Sequence, residues 1–390
     1  MDTQQSTSPA YFSTKNFCTC LIIAMLTLSG AGLYVMSHYV ATSIPYINRI
    51  PRNQLGVTFG ANEDTFAPNH TATYVTGDHW QDYSILPSNT LPITLNTGWV
   101  KQLRHTTMQL TGQQIVLLLS DERYLDVLLN WMVHVVLVSP LTLKNVLIIS
   151  LDTVTHQILQ HKQFHSIYVP RHYFIRPDLP ATKFSHLWVI RLIIIRLLNS
   201  WNYDVLVFDS DAVLLRNIQP LLTQFAKSDI VSSSGSYPFD VHRKWGVPTL
   251  CMGVILIRSS PKIKQFWQTV ESVVVATTDD QVRVNKALDK MGIQWQQLNH
   301  KKYYRGMTTG LTPLIVTTLP SLVICRHCRE SFKDIYYVWH HHAARNGTAK
   351  RVNLNRNDIW LLRDDWNKTV KNSLTGTQWI RNITRPHTAM

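Results

Sequence analysis

Short runs of consecutive apolar residues recur through the middle of the chain, and each ends at polar or acidic positions. Ile115-Val116-Leu117-Leu118-Leu119 runs into Ser120-Asp121-Glu122, and Asn145–Ser150 stops just before Asp152. Tyr203–Phe208 stops at Asp209, a shorter run covers Asp229–Ser232, and Leu250–Ile257 is apolar almost throughout. Runs of this length without alternation are what strands look like when both faces of a sheet are covered. Between and after them lie segments of helical length at Tyr124–Val138, Phe184–Leu198, Ile218–Phe225, Pro261–Val275 and Gln281–Leu288. Alternating strands and helices predict one α/β domain over residues 111–390, a Rossmann-like, mostly parallel sheet flanked by helices. In such sheets ligands sit at the carboxyl ends of the strands.

The beginning of the chain reads differently. Cys18–Ser37 carries no charged residue over 20 positions, the length that crosses a bilayer as a helix. It is expected to be a transmembrane anchor, with a tail at 1–17 and a stem at 38–110, where Thr, Asn, Pro and Gln dominate without an apolar period. A cleavable signal peptide is the competing reading, suggested by Ser29-Gly30-Ala31-Gly32, against which stand the long leader and its scarcity of basic residues. Lys15 on one side faces Arg49 and Arg52 on the other, so flanking charge does not orient the span. The short tail and single early span favour a type II arrangement with the bulk in the secretory lumen. Sequons at Asn69, Asn346, Asn367 and Asn382 all follow the span.

Composition narrows the partners. Hydrophobic residues make up 45% and charged residues 16%, which excludes a disordered polyelectrolyte. The 38 Lys and Arg against 24 Asp and Glu give a net charge of +14, which draws anionic ligands. Those basic residues are scattered, and no helix-turn-helix, zinc-finger or RNP-like pattern accompanies them, so no nucleic-acid partner is expected. Among the five cysteines, Cys325 and Cys328 form a Cys-x-x-Cys with no second pair. A local disulfide in an oxidising lumen fits this better than a four-ligand zinc site. Cys251 is then the odd thiol, expected to be buried.

The chemistry is concentrated at Asp209-Ser210-Asp211, directly after the strand at 203–208. In extended chain, residues i and i+2 project to one side, so both carboxylates can converge on a hard divalent cation. Mg²⁺ or Mn²⁺ held this way bridges protein carboxylates to the phosphates of a nucleotide. Any acidic turn produces the same triplet; its place at the end of a buried strand favours function.

Asp209-Ser210-Asp211 followed by Ala212-Val213-Leu214-Leu215-Arg216-Asn217 resembles the DxD segment of nucleotide-diphospho-sugar transferases, in particular glycosyltransferase family 77. Asn130-Trp131 is similar to that family's NW after the first strand, and Asp279-Asp280-Gln281 with Asn285 to its DQ…N segment. His341-His342-Ala343 through Gly347 and Lys350 to Trp360 is similar to its HxN…G…K…W ending. The resemblance implies a GT-A fold and metal-dependent transfer of a sugar, with retention, from a nucleotide-diphosphate donor such as a UDP-sugar to a glycan or glycoprotein acceptor. It implies a Golgi membrane location. It makes Asp209, Asp211 and His341 the ligands of Mn²⁺ or Mg²⁺. Lys350, Asp209, Ser210, Asn130 and Trp131 would bind the donor, and Asp279, Asp280 and Gln281 would form the catalytic wall. Chemistry alone does not separate His341 from His340 and His342. The pair Asp279 and Asp280 reads equally well as the acidic start of a helix. Lys183, Trp188 and Arg191 precede the metal strand and could reach the donor. Two positions depart from the pattern: Cys251 in Cys251-Met252-Gly253 replaces an Asn, and Ala343 replaces the Asn two residues after the His. These leave a non-catalytic lumenal relative, binding carbohydrate or protein, as the alternative.

If Cys18–Ser37 is an anchor, the mature protein will resist alkaline carbonate extraction and keep its N-terminal residues. N-terminal sequencing of the membrane fraction checks this, and a soluble form beginning near Gly32 would identify a signal peptide instead.

Overall fold

A computed structural model describes residues 98–170, 185–273, 279–298, 303–326, 328–329, 333–341 and 346–386. The expected anchor at Cys18–Ser37 and most of the expected stem lie outside these residues. Among the described residues no helix is long and apolar enough to cross a membrane.

The first half of the described chain alternates helices and strands: α1 (Gly98–Met108), β1 (Gln114–Ser120), α2 (Leu125–Val138), β2 (Val146–Ser150), α3 (Thr153–His161), β3 (Ser166–Tyr168), α4 (Ser185–Ser200) and β4 (Asp204–Phe208). Its four strands pair in parallel in the order β3-β2-β1-β4. The chain continues through β5 (Val213–Leu214), α5 (Gln219–Gln224), β6 (Ile230–Gly235), α6 (Phe239–Trp245), β7 (Thr249–Ile257), α7 (Pro261–Ser272) and α8 (Asp280–Lys290). Then come β8 (Gln294–Gln297), β9 (Tyr304–Met307) and β10 (Ile315–Leu319), and the large sheet is completed as β4-β7-β6-β10-β9-β8. A small second sheet joins β5 to β12 (Val338–Trp339) and β12 to β11 (Ile324–Cys325). Helices α9 (Gly347–Arg356) and α10 (Gly376–Asn382) close the fold.

The large sheet is mostly parallel, as expected, with two of its nine strands reversed. β7 runs antiparallel to both β4 and β6, and β9 runs antiparallel to β10 and β8. An apolar run reports burial of both faces and carries no direction, so the reversal of β7 was not readable from Leu250–Ile257. Its consequence is functional. The reversal brings the first residues of β7 to the edge where β4 and β6 end.

Burial on both faces is visible residue by residue along the central strands. Val116 and Leu118 of β1 pack into one core with α2, while Ile115, Leu117 and Leu119 pack into a second core with α4. β4 divides the same way, Leu206 and Phe208 against Val205 and Val207. Each such side chain contributes about 1.5–3 kcal/mol on burial, so the strands require helices on both sides.

The 38–110 stretch read as stem ends inside this fold. α1 buries Trp99, Val100 and Leu103 in the core that also holds α4. Three apolar residues among Lys101, Gln102, Arg104 and His105 are too few to show a period in the sequence.

The C-terminal segment is fastened by a buried cation. Lys162, at the end of α3, is fully buried, and its Nζ donates to Asn372 O at 2.8 Å, Asn372 Oδ1 at 3.1 Å and Leu374 O at 3.0 Å. It also lies 5.3 Å from the Trp379 ring centroid. All three ammonium protons therefore have acceptors, and burial lowers the amine's pKa below its ordinary value. Replacing it with the similar-sized Met removes the donor from three oxygens. Lys162→Met should therefore cost about 2–4 kcal/mol in urea unfolding and make the segment from Asn372 onward more sensitive to proteases.

Candidate active site

The acidic turn is set by the end of β4. Asp209 N donates to Gly253 O at 2.8 Å, and Ala212 N donates to Asp209 O at 2.9 Å, closing the backbone over Asp209-Ser210-Asp211. Trp131 of α2 supports the turn from beneath: its Nε1 donates to Ala212 O at 3.0 Å, and its ring packs on Phe208 with centroids 5.5 Å apart. β5 then pairs with β12, Val213 opposite Trp339, so the residue after β12 arrives beside the turn.

That residue is His340. Its Nε2 lies 3.4 Å from Asp209 Oδ2 and 3.9 Å from Asp211 Oδ1, and the ligand atoms of the three residues all lie within 4.8 Å of one another. His341, the ligand expected from motif register, stacks instead on Trp339 with ring centroids 6.5 Å apart. Side chains alternate along extended backbone, so the sheet partners of Trp339 decide which histidine meets the carboxylates. His342 and Ala343 lie outside the described residues.

Two carboxylates and an imidazole suit a divalent cation such as Mn²⁺ or Mg²⁺. The surrounding backbone is shaped to this cluster. A Cβ at Gly253 would lie 2.2 Å from His340 Cε1 and 2.5 Å from Asp209 Oδ2, so β7 passes at a distance that only glycine allows.

Cations from separate elements face the carboxylates. Arg191 of α4, 5% exposed, donates from Nη1 to Asp209 Oδ1 at 2.6 Å and from Nε to Asp280 Oδ2 at 2.5 Å. Lys350 of α9 pairs with Asp211. Arg326 Nη1 lies 2.9 Å from His340 Nδ1, and the disulfide between the flanking Cys325 and Cys328 holds its short loop. Burial works against the charge of Asp209, but Arg191 and His340 outweigh it and hold its pKa below the usual carboxylate range. Asp280 behaves oppositely: burial raises its pKa to about 6, against the opposing pull of Arg191. Cys251 is buried on β7. Burial raises the pKa of its thiol, yet Arg326 and a hydrogen bond with His340 outweigh this and bring it to about 7.

The remaining expected site residues separate into two groups. Ser210 and Lys350 line a cavity of about 440 Å³ together with Asp209 and Asp211, and Trp188 and Arg191 line it too. Asn130 and Trp131 do not line it. Both are fully buried, and Asn130 clamps the C-terminal segment, donating to Ile359 O at 3.2 Å and accepting from Leu361 N at 2.7 Å and Leu362 N at 3.2 Å. They support the turn and the chain end from below. Asp279 and Asp280 do not converge: Asp279 caps α8, accepting from Val282 N at 3.1 Å, while Asp280 binds Arg191. Gln281 reaches across to β7 and to the segment after β6, donating to Tyr237 O at 2.6 Å and accepting from Met252 N at 3.3 Å. Lys183 lies outside the described residues.

Two contributions were missed by the sequence reading, and a third was named there only as part of a motif. Asp121 and Tyr124 line the cavity from the end of β1; the rule that singled out Asp209 applies equally to Asp121, because Ile115–Leu119 ends in the same way. Gly347 is the third. Its Cβ would lie 2.2 Å from Arg123 O, so glycine lets α9 approach the β1 loop and places Lys350 at the acidic turn.

Gly253→Ala tests the crowding. The added methyl group must push His340 from Asp209, and Mn²⁺ affinity measured by calorimetry in the presence of UDP should fall about 10- to 100-fold, as when the supports of a metal ligand are disturbed.

Residues 141–342 match the model of a family described as nucleotide-diphospho-sugar transferase. No curated protein matches the sequence. Among solved structures, the bifunctional glycosyltransferase WbbM in its apo form is 13% identical over 70% of this chain and 51% of its own, with a TM-score of 0.42. This chain thus spans about half the length of WbbM. The galactosyltransferase LgtC, solved with donor and acceptor sugar analogues, is 15% identical over 65% of this chain and 99% of its own, with a TM-score of 0.38. Mouse xyloside xylosyltransferase 1, apo form, is 12% identical over 44% and 80%, with a TM-score of 0.31. The family match runs from the segment before β2 to His342, three residues past β12, more than half of the sequence, and on that ground the chain belongs to the nucleotide-diphospho-sugar transferases and is a glycosyltransferase.

Proposed function

We propose that this protein moves a sugar from a UDP-linked donor to a glycan or glycoprotein acceptor, with retention, in a reaction that depends on Mn²⁺ or Mg²⁺. The observation that carries this reading is the convergence of Asp209, Asp211 and His340, the two carboxylates lining a cavity that Lys350 and Arg191 also line. Bound there, the cation would neutralise charge on the departing nucleoside diphosphate.

The protein's own residues supply the rest. Arg191 keeps Asp209 ionised and in place, and Asp280 in turn fixes Arg191. Lys350, paired with Asp211, is within reach of a diphosphate that approaches the same carboxylate and can exchange one anion for the other. Tyr124 and Trp188 line the cavity and bring aromatic rings to it that suit a nucleobase. Retention follows from the family resemblance; of the residues it names for the catalytic wall, Asp280 holds Arg191 and Gln281 is tied to Tyr237 O and Met252 N.

The Cys325–Cys328 disulfide supports an oxidising compartment. Together with the apolar stretch Cys18–Ser37 it favours a single-pass type II protein of the Golgi membrane with this domain in the lumen. Cys251, standing where the family pattern has Asn, favours the alternative of a non-catalytic lumenal binding protein.

Calorimetric titration of UDP with and without Mn²⁺, paired with donor turnover, separates the two. Wild type should bind UDP more tightly with Mn²⁺, and Asp211→Asn should lower turnover by roughly 10²–10³, equivalent to about 3–4 kcal/mol of leaving-group stabilisation. His340→Ala should match it and His341→Ala should be milder. Equal UDP affinity in wild type and Asp211→Asn, with and without Mn²⁺, would favour the non-catalytic reading.

A further inference from the structure

Beyond the donor cavity, a pair of aromatic rings stands exposed at the end of β6. Tyr237 is 41% and Phe239 63% exposed, their rings meeting edge to face with centroids 5.7 Å apart. Between them Pro238 is buried, so the pair is rooted in the fold rather than carried on a free tip.

The root runs straight to the cluster. Tyr237 O accepts from Gln281 Nε2 at 2.6 Å and from Thr249 Oγ1 at 2.8 Å. Gln281 Oε1 accepts from Met252 N, and the next residue, Gly253, abuts His340 and Asp209. Gly235 makes room for this link, since a Cβ there would lie 3.2 Å from Thr249 Oγ1 and 3.3 Å from Gln281 Nε2.

Strand order fixes the relation to the donor cavity. The cavity is lined from the ends of β1 and β4, whereas the aromatic pair follows β6, and β7 lies between β4 and β6. Two strand spacings, about 10 Å, separate the ends of β4 and β6, with the cluster on the β4 side. The pair therefore flanks the cluster on the side away from the cavity.

We propose that Tyr237 and Phe239 form the platform on which a sugar ring of the acceptor stacks, an inference that rests on the glycosyl-transfer reading above. A pyranose has an apolar C–H face and a polar rim. An exposed aromatic pair matches the face, and the ion pair of Lys286 with Asp240, the residue next to Phe239, supplies polar groups beside it.

The test uses the full chain in a sugar-free detergent with UDP and Mn²⁺. The probes are methyl β-galactoside, methyl α-mannoside, methyl β-xyloside and lactose, read by saturation-transfer NMR. At least one probe should bind wild type through protons of one ring face. Tyr237→Ala and Phe239→Ala should weaken it about threefold to tenfold, the range of an aromatic contact, and Tyr237→Phe should retain it. UDP affinity should be the same in all, which also shows that the variants are folded. Equal saccharide binding in wild type and both alanine variants, or no binding of any probe by a wild type that binds UDP, overturns the platform. Loss of saccharide binding in the alanine variants of a protein that does not bind UDP would keep the platform and sink the donor reading.

Discussion

Two carboxylates held side by side at the end of a buried strand repel each other, and the rest of the site is organised around that repulsion. At about 4 Å and a near-surface dielectric, two like charges cost on the order of 4 kcal/mol, before any desolvation. The fold offsets this from separate places in the sequence: Arg191 from α4, Lys350 from α9 and His340 from the segment after β12. Two cations and an imidazole around two carboxylates are also what an incoming metal ion and diphosphate would have to rearrange. The same electrostatics that holds the two carboxylates together thus prepares the site for a charged ligand.

Positioning these groups takes most of the scaffold's less obvious side chains. Trp131 props the acidic turn, Asn130 holds the chain that follows α9, and the disulfide of Cys325 with Cys328 fixes the loop that brings Arg326 to His340. Two glycines act by absence, Gly253 where β7 passes the cluster and Gly347 where α9 meets the β1 loop. None of these residues carries a charge of its own, yet each sets where a charged group stands.

Cys251 gives the site its individual character. It lies on the strand that passes the cluster and shares a hydrogen bond with His340. Where the family pattern carries an amide, this chain carries a thiol whose burial is countered by Arg326, so the polar neighbourhood of His340 differs from that pattern. Tyr237 and Phe239, at the other end of the hydrogen bonds through Gln281, provide the apolar surface that the charged cluster lacks.

The sequence by itself determined the strands at 115–119, 145–150, 203–208 and 250–257 and the helices between and after them. Continuous apolar runs and helical lengths follow from burial alone, and burial is local information. It also placed Asp209 and Asp211 together, because two residues apart on extended chain is a fixed geometry, and it paired Cys325 with Cys328 on spacing and compartment. Only the tertiary structure decided the rest. The direction of β7 leaves no mark in an apolar run, and the packing of α1 rests on three apolar residues. The choice of His340 over His341 depends on the register in which β12 pairs with β5, and the separation of Asp279 from Asp280 depends on a guanidinium 89 residues earlier in the chain. Asn130 and Trp131 became supports because α2 lies beneath the sheet. Each of these outcomes is a long-range pairing, and a pairing between distant residues is fixed by the shape of the fold rather than by either partner alone.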